Sequence, residues 1–135
     1  MLPREFTSQQ TTDANIYAIG GYRMNGNEQI VLKECTQIDC NITGYERNPM
    51  QTARFNTPLA LIKDRFILAL GGYISKYNTT KLSECYDTLA NVWFSIAPLP
   101  TNVVNATTVT MNERFVYLMP GANRESQASG ALVIN

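Results

Sequence analysis

The stretch DRFILALGG, residues 64–72, indicates the fold because it recurs twice at a nearly constant spacing. It returns 49 residues later as ERFVYLMPG at residues 113–121, and it stands 51 residues earlier as DANIYAIGG at residues 13–21. In each copy an apolar run ends at a glycine. A period of about fifty residues is typical of proteins built from repeated units, each of which buries its apolar face against a neighbour.

The flanks of this motif repeat in step with it. An offset of 49 residues carries Asn56 to Asn105, and an offset of 50 carries the segment 32–35 to the segment 82–85. Because separate segments agree within a residue or two, we predict one repeat domain over residues 1–135. Its approximate units are 1–48, 49–97 and 98–135.

Each unit is predicted to form four short strands. In the middle unit, two apolar-rich segments, an alternating segment and an aromatic-rich segment follow one another at 57–62, 65–70, 80–86 and 91–96. No stretch has the sustained periodicity of a helix. Consecutive apolar residues such as 66–70 require cover on both faces of a strand, which stacked sheets supply. Four-stranded sheets repeated at about 40–50 residues indicate an all-β fold made of β-propeller blades.

The middle unit carries a specific order of motifs. These are the double glycine Gly71-Gly72, the pair Tyr86-Asp87, the triplet Asn91-Val92-Trp93 and the proline-containing segment 98–100. This order resembles the kelch repeat. The resemblance implies a kelch-type β-propeller segment of about 2.5–3 four-stranded antiparallel blades. Because propellers typically close with about 4–8 blades, the segment is not a closed ring by itself.

The outer units depart from this pattern. The first has residues 36–37 where Tyr-Asp belongs and Thr43 where the Trp belongs, with Tyr45 as its candidate replacement. The third replaces the first glycine by Pro120 and ends inside its predicted third strand. Residues 5–13 are almost wholly polar where an inner apolar strand should lie. We expect that strand to be frayed or supplied from elsewhere.

The composition excludes several classes of function. The chain has 135 residues, with 11 Lys and Arg, 11 Asp and Glu and no His. Without His, catalysis by Ser-His-Asp or Cys-His sets and zinc sites that need imidazole are excluded. Balanced charge without basic runs is not typical of proteins that bind nucleic acid or anionic membranes. We therefore expect neither nucleic acid nor a membrane as a partner.

The N-terminal residues and the cysteines indicate the compartment. The start lacks the apolar core of a signal peptide, and no apolar run approaches the roughly 20 residues that span a bilayer. Cys35, Cys40 and Cys85 are odd in number and lack a CxxC pair, so we expect buried free thiols in a reducing compartment. The predicted location is cytoplasmic.

The motif residues are expected to be structural. The glycines stand where a strand must end in a sharp turn, at Gly20, Gly21, Gly71, Gly72 and Gly121. They lie in no phosphate-binding Gly-rich pattern. Tyr86 and Trp93 are expected to pack against adjacent strands, with ligand stacking as the alternative for Trp93. The carboxylates nearest the motifs are Glu34, Glu84 and Asp87, and their spacing indicates solvated or salt-bridged groups rather than an acid–base pair.

The candidate binding surface follows from strand parity. In a four-stranded blade, the connection into the first strand and the connection between the second and third strands emerge on the same face. These connections are 22–29, 73–79, 122–126, 48–55 and 98–103. The resemblance to kelch implies a protein-binding face there, with the candidates Tyr22, Arg23, Asn25, Tyr73, Lys76, Tyr77, Asn78 and Arg124. Taken singly, each could equally be an ordinary loop residue.

These observations predict a protein-interaction module without catalytic residues, cofactor or metal. We expect it to be a fragment of a larger kelch protein that acts as an adaptor or scaffold, bound to another protein. Self-assembly of several chains into one ring is a second way to complete the propeller. The functional alternative is part of a kelch-like enzyme or carbohydrate-binding propeller whose site is completed by absent blades. A degenerate product that does not fold is the remaining alternative.

Overall fold

The computed structural model describes residues 4–11, 13–103, 106–119 and 130–133. These residues form β-strands and no helix, and every pair of neighbouring strands is antiparallel. The all-β class predicted from the repeat is confirmed. Gly121, Arg124 and the predicted loop 122–126 lie outside the described residues.

The second sheet has the four strands predicted from the middle unit. Its strands pair in chain order as β6 (Leu59–Ile62), β7 (Phe66–Leu70), β8 (Ser83–Asp87) and β9 (Val92–Ile96). The turn after β6 closes when the Arg65 N–H donates to the Ile62 oxygen at 3.1 Å. Its central residues, Lys63 and Asp64, have φ of 54° and 49°. Left-handed backbone at both positions matches the twist of the strands that the turn joins.

The first sheet has the same order with one addition. Its path is β1 (Glu5–Gln10), β2 (Ile16–Asn25), β4 (Cys35–Ile38) and β5 (Gly44–Arg47), and β3 (Glu28–Val31) pairs with the far half of β2. The prediction of a loop at 22–29 is therefore wrong in part, because most of these residues form a β-hairpin. The hairpin extends β2 beyond the rest of the sheet.

The polar segment at the start of the first sheet forms a strand, so the expectation that it is frayed or supplied from elsewhere is wrong. β1 pairs with β2 from Gln10 opposite Ile16 to Glu5 opposite Tyr22, with an irregularity between Glu5 and Thr7. As an edge strand it satisfies one side of its backbone on β2, and most of its side chains are exposed or half-buried. Polar residues are compatible with that environment.

The two repeats align differently in space than in sequence. The Gly20 N–H donates to the Glu34 oxygen at 2.8 Å, whereas the Gly71 N–H donates to the Leu82 oxygen at 3.1 Å. Glu34 is thus equivalent to Leu82, and the sequence match of 32–35 with 82–85 is displaced by two residues. The cause is the β2–β3 hairpin, which lengthens this part of the first unit.

The corrected alignment changes the motif in the first unit. Asp39 accepts hydrogen bonds from the Asn41 and Thr43 N–H groups at 3.0 and 2.9 Å, as Asp87 does in its own turn. Asp39, rather than residue 37, therefore takes the place of Asp87. Trp93 pairs with Tyr86, and its counterpart is Gly44, which pairs with Ile38. Tyr45 is not the replacement for the Trp, because it pairs with Gln37 instead.

The third sheet contains β10 (Thr107–Met111), β11 (Phe115–Met119) and β12 (Gly130–Val133) among the described residues. Its first strand contacts β6, which also contacts β1. The first strands of the three sheets therefore lie side by side, as the inner strands of propeller blades do. The three sheets form an open segment and do not close into a ring, as predicted.

Two apolar layers hold the sheets face to face. Ile19 and Cys35 of the first sheet belong to one buried cluster with Ile67 and Tyr86 of the second. On the other face of the second sheet, buried apolar residues pack with residues of the third sheet, and this cluster includes Leu68, Leu70, Cys85, Val116 and Leu118. The strand Phe66–Leu70 supplies side chains to both layers, which explains its consecutive apolar residues.

Candidate functional site

The candidate site begins at the two double glycines, of which Gly20-Gly21 lies within β2 and Gly71-Gly72 directly follows β7. Gly20, Gly21, Gly71 and Gly72 all have positive φ, from 63° to 99°. They also lie close to other parts of the chain: a Cβ on Gly21 would collide with the Glu5 carbonyl oxygen, and one on Gly72 would collide with the Thr57 hydroxyl. The absence of a side chain on these glycines lets the start of β1 lie against β2. It likewise lets the segment before β6 lie against the chain that follows β7.

The segment that joins the first and second sheets crosses this end of the first sheet. The Gly21 N–H donates to the Arg54 oxygen at 2.8 Å, and the Arg54 N–H donates to the Leu32 oxygen at 3.0 Å. Next along the chain, Phe55 and Tyr73 exchange two backbone hydrogen bonds of 2.9 Å. Connections from both repeats therefore meet on one face, as strand parity predicts.

Three aromatic rings form a continuous row on this face. The Phe55 ring is stacked on Tyr73 with 5.2 Å between centroids and an angle of 19°. Tyr22 meets Phe55 edge to face, also at 5.2 Å, with an angle of 71°. All three residues are half-buried. The structure thus brings Tyr22 and Tyr73 together through Phe55, which the sequence analysis did not select.

Two cavities open beside the aromatic row. The first, of about 300 Å³, is lined by Glu5, Phe6, Thr7, Gly21, Tyr22, Phe55 and Asn56. The second, of about 330 Å³, lies between the inner strands and is lined mostly by hydroxyl-bearing and apolar residues, with Thr7 and Asn56 shared with the first. The face therefore combines ring surfaces with hydrogen-bonding groups.

The other hairpin candidates lie beside the row. Arg23 is partly buried and forms an ion pair of 2.7 Å with Glu34. Glu34 also pairs with Arg4 at 2.8 Å, and the Arg4 side chain is only 1% exposed. The ion pair of Arg23 with Glu34 therefore links the β2–β3 hairpin to the segment that precedes β4. Asn25 ends β2 and is exposed at the tip of the hairpin.

The remaining described candidates lie on the loop 73–79. This loop is closed by a bridge between Tyr73 and Thr79, and the Ile74 N–H donates to the Asn78 oxygen at 2.9 Å. Tyr77 is 83% exposed, and the Lys76 ammonium lies 5.4 Å from the centroid of its ring. These three candidates, Lys76, Tyr77 and Asn78, project from the face and do not join the aromatic row.

Proteins of known class provide an independent comparison. No family model matches the chain. It is 26% identical to the human Kelch-like protein 38 over 112 residues, which are 82% of this chain and 19% of that protein. It is 27% identical over 122 residues to the Kelch repeat and BTB domain-containing protein 8 of Danio rerio, again covering 82% of this chain, and 20% of that protein. The chain is related to the kelch-repeat family. It spans about one fifth of the length of these relatives.

The kelch motif residues of the second sheet make ring contacts and hydrogen bonds within the protein. The buried Tyr86 ring stacks on Trp93 with 4.9 Å between centroids. Its hydroxyl accepts from the Arg47 Nε at 2.9 Å and donates to the Asn91 Oδ1 at 2.8 Å, and burial raises the pKa of Tyr86 to about 12. The Trp93 indole N–H donates to the Asn48 oxygen at 2.8 Å. These contacts join the first sheet to the second.

Asp87 of the kelch motif organises the turn after β8. Its carboxylate accepts two hydrogen bonds from the Arg65 guanidinium, at 2.8 and 2.7 Å, and one each from the Leu89 and Ala90 N–H groups. The hydrogen bonds from Arg65 are the main cause that lowers the pKa of Asp87 to about 2. A carboxylate so held is ionised at neutral pH and does not act as a general acid.

Arg54 is a central residue that the sequence analysis missed. Its side chain is fully buried and donates to the Gly71 and Leu82 oxygens and, at 2.6 Å, to the Glu84 carboxylate. Burial lowers the pKa of Arg54, and the carboxylate opposes that shift. Glu84 also accepts from the Gln51 N–H at 2.7 Å. The signal for Arg54 was present, because Arg4 precedes it by 50 residues.

Two of the three cysteines are buried, and the third is exposed. Burial raises the pKa of Cys35 and of Cys85 to about 12. Cys40 is exposed in the turn after β4, so the expectation of buried thiols is wrong for this residue. Within residues 4–11, 13–103, 106–119 and 130–133, no cluster of three metal-ligating side chains is found. The same residues include no helix long and apolar enough to cross a membrane.

Proposed function

We propose that the chain is a protein-interaction module that binds its partner on the face formed by Tyr22, Phe55 and Tyr73. The observation that carries the proposal is the row of three half-exposed rings at the meeting point of two repeats. Aromatic side chains beside partly desolvated pockets are typical anchors of protein interfaces. The two relatives, one Kelch-like and one with Kelch repeats, support a kelch-type module.

The proposed module has no catalytic role, cofactor or metal. Glu84 is ion-paired with Arg54, and Asp87 is ion-paired with Arg65, which supports structural roles for both carboxylates. We further propose that the chain is part of a larger kelch protein that serves as an adaptor or scaffold. The relatives support this, because the matched part is about one fifth of their length. A cytoplasmic location and partners other than nucleic acid or membranes belong to the same proposal.

The proposed face is tested by site-specific photo-crosslinking in cells. Ile74 is exposed beside the aromatic row, whereas Lys63 is exposed in the turn at the opposite end of the second sheet. A photoreactive benzoylphenylalanine is placed at either position in the full polypeptide that contains this chain. We expect protein adducts from position 74 that position 63 does not give.

The Phe55→Ala variant provides the second arm of this experiment. Removal of the central ring should abolish the adduct from position 74, while Tyr77→Ala, which removes a projecting ring on the same loop, should retain it. Equal adducts from positions 63 and 74, or adducts that persist in Phe55→Ala, would contradict the proposal. Failure of any protein adduct, together with saturable binding of a sugar, would favour the carbohydrate-binding alternative.

A further inference from the structure

The first cavity combines aromatic surfaces with a single carboxylate. Phe6, Tyr22 and Phe55 contribute rings to the lining, and Glu5 is its only charged residue. The Arg4 guanidinium lies 5.8 Å from the centroid of the Phe6 ring, so Tyr22 and Phe55 are the rings left for a ligand. Glu5 is exposed, and it forms no ion pair with the residues that the structure describes. Ring faces and a carboxylate both attract cations, because the π-system carries negative charge on its faces.

Nearby arginines do not neutralise this carboxylate. Arg4 and Arg23 both pair with Glu34, at 2.8 and 2.7 Å. Arg4 also donates to the Thr36 hydroxyl, which in turn donates to Glu46 at 3.0 Å. Both arginines are therefore paired with Glu34, and neither forms an ion pair with Glu5. The mouth of the cavity keeps the negative charge of its own acidic residue.

Comparison of the first two repeats shows that Glu5 takes the position that Phe55 has in the second repeat. Glu5 pairs with Tyr22 as Phe55 pairs with Tyr73 across the equivalent bridge. The second repeat thus covers its tyrosine with a ring, whereas the first repeat sets a carboxylate beside Tyr22. The aromatic row ends next to Glu5, and the cavity opens at that end.

We propose that this cavity binds a cationic side chain, Lys or Arg, of an extended segment of the partner protein. The proposal rests on the proposed function and names the chemistry of the partner at the same face. The aliphatic stem of such a side chain would pack on the rings, and its charged head would pair with Glu5. A partner segment with an acidic side chain at this position would be repelled.

The test uses small peptide probes and nuclear magnetic resonance. Acetyl-Gly-Arg-Gly-amide is titrated into the protein, and the matched probe replaces Arg by citrulline, which has the same shape without the charge. We expect saturable shifts at the amides of Thr7 and Tyr22. The Kd of the Arg probe should be about fivefold lower than that of the citrulline probe, as for a cation at a partly exposed ring and carboxylate.

Two charge-matched variants locate the effect. Glu5→Gln should remove the preference for Arg, whereas Glu28→Gln, at the exposed start of β3, should retain it. Equal Kd values for the two probes, an equal loss in both variants, or tighter binding of acetyl-Gly-Glu-Gly-amide would overturn the proposal. If adducts from position 74 persist while the probes bind alike, only this inference fails. If the Arg preference is found without protein adducts, the proposed function fails instead.

Discussion

The joint between the first and second sheets differs in chemistry from the joint between the second and third. In the first joint, the end of β5 and the connection after it supply four residues that are hydrogen-bonded to the second unit, namely Arg47, Asn48, Gln51 and Arg54. An offset of 49 residues places Ile96, Ala97, Pro100 and Val103 at these positions in the second joint. Ile96 and Val103 pack in the apolar layer there.

This difference separates two ways of holding neighbouring sheets together. Hydrogen bonds and ion pairs are directional, so the first joint fixes the position of one sheet on the other. Apolar burial is non-directional and depends mainly on the area removed from water. We infer that the first joint sets the geometry of the aromatic row, because the central residue of the row, Phe55, directly follows Arg54. The second joint contributes mainly free energy of burial.

The largest expected effect is at the buried ion pair of the first joint. Arg54→Met leaves Glu84 buried without its cation and should lower the free energy of unfolding by about 3–5 kcal/mol. Urea denaturation measures the change. Arg54→Met combined with Glu84→Gln should recover part of the loss, because the buried charge is gone. A loss below about 1 kcal/mol, typical of exposed pairs, would contradict the distinction between the joints.

Truncation in the apolar joint should cost somewhat less. Leu118→Ala opens a cavity in the layer between the second and third sheets and should destabilise the chain by about 2–4 kcal/mol. The same denaturation measurement applies, with Tyr117→Ala, on the more exposed face of β11, as the matched control. If both variants cost the same, the third sheet is not packed on the second through this face.

A single hydroxyl of the first joint gives a smaller effect. Tyr86→Phe removes the group that accepts from Arg47 and donates to Asn91, and should cost about 1–2 kcal/mol. Tyr117→Phe removes a partly exposed hydroxyl and should change stability by less than about 0.5 kcal/mol. Thermal melting of the two variants side by side checks the difference. A melting temperature for Tyr86→Phe equal to that of the parent chain would show that these hydrogen bonds contribute nothing.

The last expected effect is confined to acid pH and concerns a carboxylate within the second sheet. The pKa of Asp87 is lowered from 3.8 to about 2 in the folded state, mainly by hydrogen bonds from Arg65. Its contribution to stability is therefore complete above the unfolded pKa and is lost as the pH falls through the folded pKa, between about pH 4 and 2. Melting temperatures over this range should fall less steeply in Asp87→Asn than in the parent chain. Parallel curves would exclude this linkage, and Glu28→Gln serves as the control for charge.

The repeat motif predicted the architecture because the burial of each strand is encoded locally. Consecutive apolar residues at 66–70 and the glycines after them indicated a strand covered on both faces and a sharp turn, and both are found. The gap between the predicted strand segments 57–62 and 65–70 is found as the turn at Lys63 and Asp64. Periodicity and turn chemistry act over a few residues, so they can be interpreted from one sequence.

The site depended on contacts between distant residues and was predicted only in part. Tyr22 and Tyr73 were selected as residues of the predicted binding loops, but Phe55 joins them only because the connection crosses the first sheet. Arg54 was missed because its partners are Gly71, Leu82 and Glu84, all far along the chain. Nothing in local sequence indicates such partners. The displaced match at 32–35 has a related cause, since pairing across strands and not residue identity defines equivalence.

The affinity of the purified cross-linked partner for the chain tests the proposed binding face most directly. Isothermal titration compares the parent chain with Phe55→Ala and with Tyr77→Ala, after circular dichroism has verified that each variant folds. Loss of a central aromatic anchor typically costs about 2 kcal/mol or more, so Phe55→Ala should raise the Kd at least about thirtyfold. Tyr77→Ala should leave it within about threefold. An unchanged Kd in a folded Phe55→Ala variant would contradict the account.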